Sequence, residues 1–169
     1  MGCIERRHVI EKFCDWLSTT SVSVALQSAN WFVPLVQTVH IVSIAILLTS
    51  IYVISFRLIG LSRSTDSLAN LITRSMPWIW AALGVLLVSG TLLIITEPAR
   101  ELLNWAFRSK MVLVVMLAVL MWIIQTPTRR EPAYWTESSL RRRTARVLGI
   151  AALLAGAAIV TAGRWIAYV

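Results

Sequence analysis

The sequence predicts an all-α integral membrane protein, a four-helix bundle preceded by an N-terminal amphipathic helix at the membrane interface. Of its 169 residues, 57% are apolar and 14% are charged, and the mean hydropathy is +0.73. The apolar residues gather in four long runs, and none of these keeps the period-two alternation of a strand. Because lipid offers the backbone no hydrogen-bond partner, we expect the four runs to cross the membrane as helices.

Residues 1–30 form a separate segment in which apolar and charged positions alternate at helical spacing. Ile4, Val9, Ile10, Phe13, Trp16 and Leu17 are placed to form one face, and Glu5, Arg6, Arg7, Glu11, Lys12 and Asp15 the other. This pattern predicts a helix lying in the interface. Because acidic and basic residues are mixed before any long apolar run, we expect the segment to be retained rather than cleaved as a signal peptide.

Residues 31–169 form the predicted membrane domain. Crossing about 30 Å of hydrocarbon takes about 20 helical residues, and the predicted spans are 34–59, 78–96, 110–125 and 147–167. Aromatic residues mostly flank these spans, as expected of interface belts: Trp31, Trp78, Trp80, Trp105, Trp122, Tyr134, Trp135, Trp165 and Tyr168. A seam of small residues in the fourth span, Gly149, Ala152, Gly156 and Gly163, predicts close packing against a neighbouring helix.

The charges predict an orientation. The first and third loops carry nine arginines, against seven basic residues on the other side, and six of the nine lie in the third loop beside helix ends. The bias places both termini outside the cytoplasm. The same bias explains the net charge of +8, so we expect no nucleic-acid partner. The expected partners are membrane lipids. No phosphate-binding loop or zinc-finger spacing occurs in the sequence.

A polar stripe runs along the first span. Gln37, His40, Ser43, Leu47 and Ser50 are spaced three, three, four and three residues apart, which places them on one helical face. An imidazole and a carboxamide are costly in lipid, so we expect this stripe to face the bundle interior.

His40 is the candidate functional residue and the candidate metal ligand. An intramembrane histidine can ligate haem iron, carry protons, bind another metal or simply hydrogen-bond to a neighbouring helix. A b-type haem requires a group to hold the other imidazole N–H, for which Gln37 and Ser43 are candidates, and cations for its propionates. Helix direction brings four cations to the membrane face nearest His40: Arg100, Arg108, Lys110 and Arg164.

Several short motifs resemble the HemJ family of bacterial protoporphyrinogen oxidases. They are Gln37-Thr38-Val39-His40-Ile41, Phe56-Arg57-Leu58, Met76-Pro77, Gly90 and Phe107-Arg108-Ser109-Lys110. The resemblance implies a four-to-five-helix membrane fold that binds b-type haem, with His40 and Lys110 at the family's two principal polar positions. This sequence has Gln37 and Arg108 where that family usually has lysine and histidine.

Over nearly its whole length, including the end Gly163-Arg164-Trp165-Ile166-Ala167-Tyr168, the chain more closely resembles an uncharacterised family of small proteobacterial inner-membrane proteins. This resemblance implies a bacterial inner membrane and no particular reaction.

His40, the nearby cations and the resemblance to the HemJ family lead to the first hypothesis: a haem- or porphyrin-binding protein that works with a redox partner in electron transfer or porphyrin redox chemistry. The alternative is a non-catalytic subunit or assembly partner of a larger membrane complex.

Overall fold

A computed structural model describes the backbone of residues 2–62, 67–102 and 104–165, and their side chains except at 2–9, 100, 101, 106, 164 and 165. The described residues form eight helices: α1 (Gly2–Ser18), α2 (Ser21–Ser28), α3 (Phe32–Ile59), α4 (Leu68–Thr96), α5 (Pro98–Leu102), α6 (Trp105–Arg130), α7 (Tyr134–Glu137) and α8 (Ser139–Trp165). Four of them, α3, α4, α6 and α8, are long and apolar enough to cross a membrane. The predicted all-α four-helix membrane bundle is confirmed.

The long helices extend beyond the apolar spans that the sequence predicts. α4 begins at Leu68, ten residues before the predicted span at 78, and continues through Pro77. Its polar first turns resemble a loop in sequence, but the Ser67 side chain accepts a hydrogen bond from the Asn70 backbone N–H at 3.2 Å and caps the helix. α3 ends at Ile59 and is capped by Gly60, whose φ of +91° is the left-handed conformation that glycine adopts most easily.

The four long helices pack in the order α4, α3, α8, α6, and a smaller contact between α4 and α6 closes the bundle. The core is densest in the half of the bundle near the first and third loops, where Ile51, Ile54, Ile79, Met121 and Ile124 are fully buried. Large apolar side chains also point outward: Leu87 is 73% exposed, Val112 68% and Leu154 66%. These surfaces contact lipid, so the chain is a multi-pass membrane protein.

The small-residue seam of α8 packs against α3, as its spacing predicts. A Cβ atom placed on Gly156 would lie 2.9 Å from Cε1 of Tyr52, and one on Gly149 would lie 3.1 Å from the backbone oxygen of Ser55. Ala152, between them, is fully buried. The seam ends before Gly163, where an added Cβ would have no neighbour within 4 Å among the described residues.

The N-terminal segment is helical, as predicted, and it forms two helices rather than one. Ser23 of α2 donates to the backbone oxygen of Ile95 at 2.7 Å, and Gln27 donates to that of Thr96 at 2.8 Å. These bonds satisfy carbonyls at the C-terminal end of α4 that have no partner within their own helix. The position of α1 and α2 at the membrane surface stays a prediction.

Trp135 departs from the predicted aromatic belt. It is only 4% exposed, and its indole N–H donates to Oγ1 of Thr128 at 2.9 Å. The expectation that it faces the interface was wrong, because α7 folds back over the bundle end and places the ring in the core.

Candidate functional site

His40 lies on the inward face of α3, half-buried, and contacts α4. Its Nδ1 atom is 2.8 Å from the hydroxyl oxygen of Ser89, which is 4% exposed. The hydroxyl of Ser89 in turn donates to the backbone oxygen of Val85 at 2.7 Å. The imidazole is therefore held by a side chain of the neighbouring helix, which is itself anchored on its own backbone.

These two contacts select a tautomer of His40. A serine hydroxyl carries one proton, so when that proton is directed to Val85 the oxygen can only accept from the imidazole. Both contacts are satisfied when Nδ1 carries the ring proton. Nε2 then keeps its lone pair, which is the form of histidine that ligates a metal.

Lys110 is brought towards His40 from the opposite side of the bundle. Across the described residues, α3 and α6 share no close backbone contact and stand diagonally. Both start at the same membrane face, and His40 is eight residues beyond Phe32 while Lys110 is five beyond Trp105, depths of about 12 and 8 Å. Lys110 therefore lies at the same end of the bundle as His40 and at a similar depth, and a direct interaction between the two side chains stays a prediction.

Gly90 borders the same imidazole, one residue beyond Ser89. A Cβ atom placed on it would lie 3.6 Å from Cε1 of His40, an ordinary van der Waals distance. α4 thus contributes both the group that orients the ring and the backbone that lines its edge.

The other predicted site residues are arranged less closely around His40. Gln37 is exposed, and so is Arg108. Ser43 is buried, but its hydroxyl donates to the backbone oxygen of Val39, one turn earlier in its own helix, at 2.8 Å. Neither of the predicted candidates holds the imidazole; Ser89 does. The side chains of Arg100 and Arg164 lie outside the described residues.

Ser89 could not be chosen from the sequence alone. α4 carries several hydroxyl side chains, and which of them faces α3 depends on how far the helix is rotated about its axis. Only the position of Gly90, next to it in the sequence and part of the resemblance, pointed to this turn of α4.

The donor set around His40 limits what can bind there. Among the described residues, no group of three or more His, Cys, Asp or Glu side chains could hold a metal ion. A bare transition-metal ion bound by protein alone takes three or four such ligands. A porphyrin supplies four nitrogens of its own, so one imidazole is sufficient to attach it. The described residues thus supply too few ligands for a bare ion bound by protein alone, whereas a porphyrin would need only one imidazole.

The fold and the site together define a multi-pass membrane protein with an oriented histidine inside its bundle. The chain belongs to a family of unknown function, DUF6644, whose model matches residues 13–169. Membership of an uncharacterised family, which the sequence predicted, is thereby confirmed. No curated protein and no solved structure matches the chain.

Proposed function

We propose that this protein binds a b-type haem or a related porphyrin through Nε2 of His40, and that it acts in electron transfer or porphyrin redox chemistry. The observation that carries the proposal is the contact between His40 and Ser89, which leaves Nε2 as the basic nitrogen. The resemblance to the HemJ family adds to it, because His40 and Lys110 match two of that family's principal polar positions. A bound haem would supply one-electron redox chemistry.

The chain's own residues would do three things at such a site. Ser89 holds Nδ1 and so fixes the plane of the imidazole. Lys110 supplies positive charge on the opposite helix, where it can pair with a propionate. Arg108, exposed at the same membrane face, is a second cation for that role.

The test is an absorption spectrum of the purified full chain from haem-supplemented cells, taken before and after reduction with dithionite. We expect a Soret band that shifts on reduction and is lost in His40→Ala. His8→Ala is the matched control, because His8 is the only other histidine of the chain and should leave the band in place. Circular dichroism shows whether each variant is folded. A folded wild-type protein with no Soret band, or a band that survives His40→Ala, would contradict the proposal.

Lys110→Met separates two versions of the site. If Lys110 is an anion partner, the substitution should weaken haem retention and leave the spectrum unchanged. Loss of low-spin features in the variant would instead make Lys110 the second iron ligand, since a neutral amine can coordinate iron but a charged one cannot.

The proposed location is the bacterial inner membrane, with both termini in the periplasm. The cation-rich end of the bundle supports this orientation: Arg57, Arg129 and Arg130 lie in the last turns of α3 and α6, and basic loops stay in the cytoplasm. A C-terminal alkaline phosphatase fusion should be active, and a fusion in the third loop inactive. The opposite pair of results would reverse the orientation.

A further inference from the structure

A cleft opens at the end of the bundle opposite to His40. It has a volume of about 670 Å³ and lies between the end of α3, the start of α4, α7 and the start of α8. Its lining combines three arginines with apolar side chains: Arg57, Arg142, Arg146, Leu58, Leu68 and Trp135. Arg57 is 17 residues from His40 along α3, about 25 Å, so the cleft is separate from the histidine site.

The described residues that line the cleft give it a positive charge. The described residues that line it include three guanidinium groups and no carboxylate. Arg141, beside the cleft but not in its lining, differs: it pairs with Glu137 and lies 3.5 Å from Glu131. Among the described carboxylates of this end, Glu131 and Glu137 are thus directed at Arg141, and the described lining of the cleft attracts an anion.

Two of the arginines are held in place by the protein. Arg57 donates to the backbone oxygen of Ser62 at 2.7 Å, and Arg142 donates to that of Thr136 at 3.0 Å. The contact of Arg142 uses one of the five N–H groups of its guanidinium. Fixed guanidinium groups lose little conformational entropy on binding, and their planar fork matches the oxygens of a phosphate.

The remaining walls suit an amphiphilic ligand at the membrane surface. Leu58 and Trp135 are 5% and 4% exposed, so the inner wall of the cleft is apolar and continuous with the core. The first turn of α4, from Ser67 to Ala69, also lines the cleft, and the amide groups of a helix N-terminus favour negative charge. An apolar wall beneath a cationic rim fits a phosphate group attached to a glycerol or acyl moiety.

We propose that this cleft binds a phosphate-bearing anion, with Arg142 and Arg146 as its principal ligands. The same chemistry is offered by the headgroup of an anionic phospholipid and by free phosphate. Titrating the detergent-purified full chain with three probes distinguishes these sources: short-chain phosphatidylglycerol, diacylglycerol of the same chain length, and inorganic phosphate. Tryptophan fluorescence reports binding, because Trp135 lines the cleft.

Saturable binding of phosphatidylglycerol without binding of phosphate would identify the site as one for a lipid headgroup, and saturable binding of phosphate would identify a soluble source. If neither probe binds, or if diacylglycerol binds as tightly as phosphatidylglycerol, the proposal is wrong, because no phosphate is being recognised.

The variant Arg142→Gln/Arg146→Gln tests the ligands themselves, and we expect it to weaken binding at least about tenfold. Arg130→Gln/Arg143→Gln is the matched control, since it removes the same charge from exposed arginines of the same bundle end that do not line the cleft. It should change the affinity by no more than about twofold. An equal loss of affinity in the two variants would show that only the overall charge matters, and the proposed site would be wrong.

If the double variant fails the circular dichroism check, Arg146→Gln alone serves, because Arg146 is exposed and outside the core. We expect it to weaken binding about three- to tenfold, and unchanged affinity would count against the site.

Discussion

Ser89 and His40 are 49 residues apart in sequence and join α4 to α3 through one hydrogen bond of 2.8 Å. The bond lies within the membrane-spanning part of both helices, where an unpaired imidazole nitrogen is costly. It serves two purposes at once, since it satisfies a polar group inside the bundle and fixes the nitrogen that remains available to a ligand. Its removal should therefore affect both stability and ligand binding.

Ser89→Ala is expected to destabilise the protein by about 0.5–1.5 kcal/mol and to broaden or shift the Soret band that the haem proposal predicts, because the imidazole loses its fixed orientation. Ser43→Ala is the matched control: Ser43 is equally buried, but its hydroxyl bonds only to its own helix. The spectra of the two variants, loaded with haem, provide the comparison. An identical effect of both substitutions would show that Ser89 has no special relation to His40.

A second interhelical hydrogen bond can be measured without any ligand. The indole N–H of Trp80 in α4 donates to Oε1 of Gln125 in α6 at 2.9 Å, and Gln125 is only 6% exposed. A double-mutant cycle of Trp80→Phe and Gln125→Met should give a coupling energy of about 0.6 kcal/mol, typical of membrane helices. Pairing Trp78→Phe with Gln125→Met is the control, because Trp78 lies in α4 like Trp80 but is 61% exposed, and its coupling should be near zero.

The contact between α8 and α3 predicts unequal effects of glycine substitutions. Gly156→Ala should destabilise the bundle by about 1–3 kcal/mol, because the new methyl group meets the Tyr52 ring at 2.9 Å. Gly84→Ala is the matched control, since no described residue lies within 4 Å of a Cβ added to Gly84. The control should be neutral or slightly stabilising, because alanine is the better helix former. Unfolding in a mixed-detergent titration measures both variants, and equal stability would mean that α8 does not pack on Tyr52.

Much of this fold is predictable because a membrane allows few alternatives. Apolar runs of sufficient length can cross only as helices, and counting residues from helix ends places His40 and Lys110 at similar depths. The seam of Gly149 and Gly156 is also predictable from the sequence, because closely packed membrane helices select small residues at their contact.

The contacts that the sequence does not predict depend on the rotation of each helix about its axis and on the path of the loops between helices. The partner of His40 is Ser89 rather than Ser43, because the relative rotation of α3 and α4 decides which hydroxyl reaches the ring. Trp135 has the sequence context of an interface aromatic, yet α7 carries it into the core. The cationic cleft could not be predicted for the same reason, since Arg57 and Arg146 line one cleft only when α3 and α8 pack together.

The packing of the N-terminal helices predicts the reactivity of Cys14. This residue of α1 is 2% exposed. Burial raises the pKa of the Cys14 thiol above its ordinary value, and the carboxylates of Asp15 and Glu11 raise it further. The thiolate is the reactive form, so at about pH 8 the folded protein should be alkylated far more slowly than a free thiol, and the rate should rise as the pH approaches the raised pKa. Measuring N-ethylmaleimide labelling in a Cys3→Ser background isolates Cys14, and the same variant unfolded in dodecyl sulfate provides the control, in which labelling should be fast. Rapid labelling of the folded protein at about pH 8 would mean that α1 does not stay packed as described.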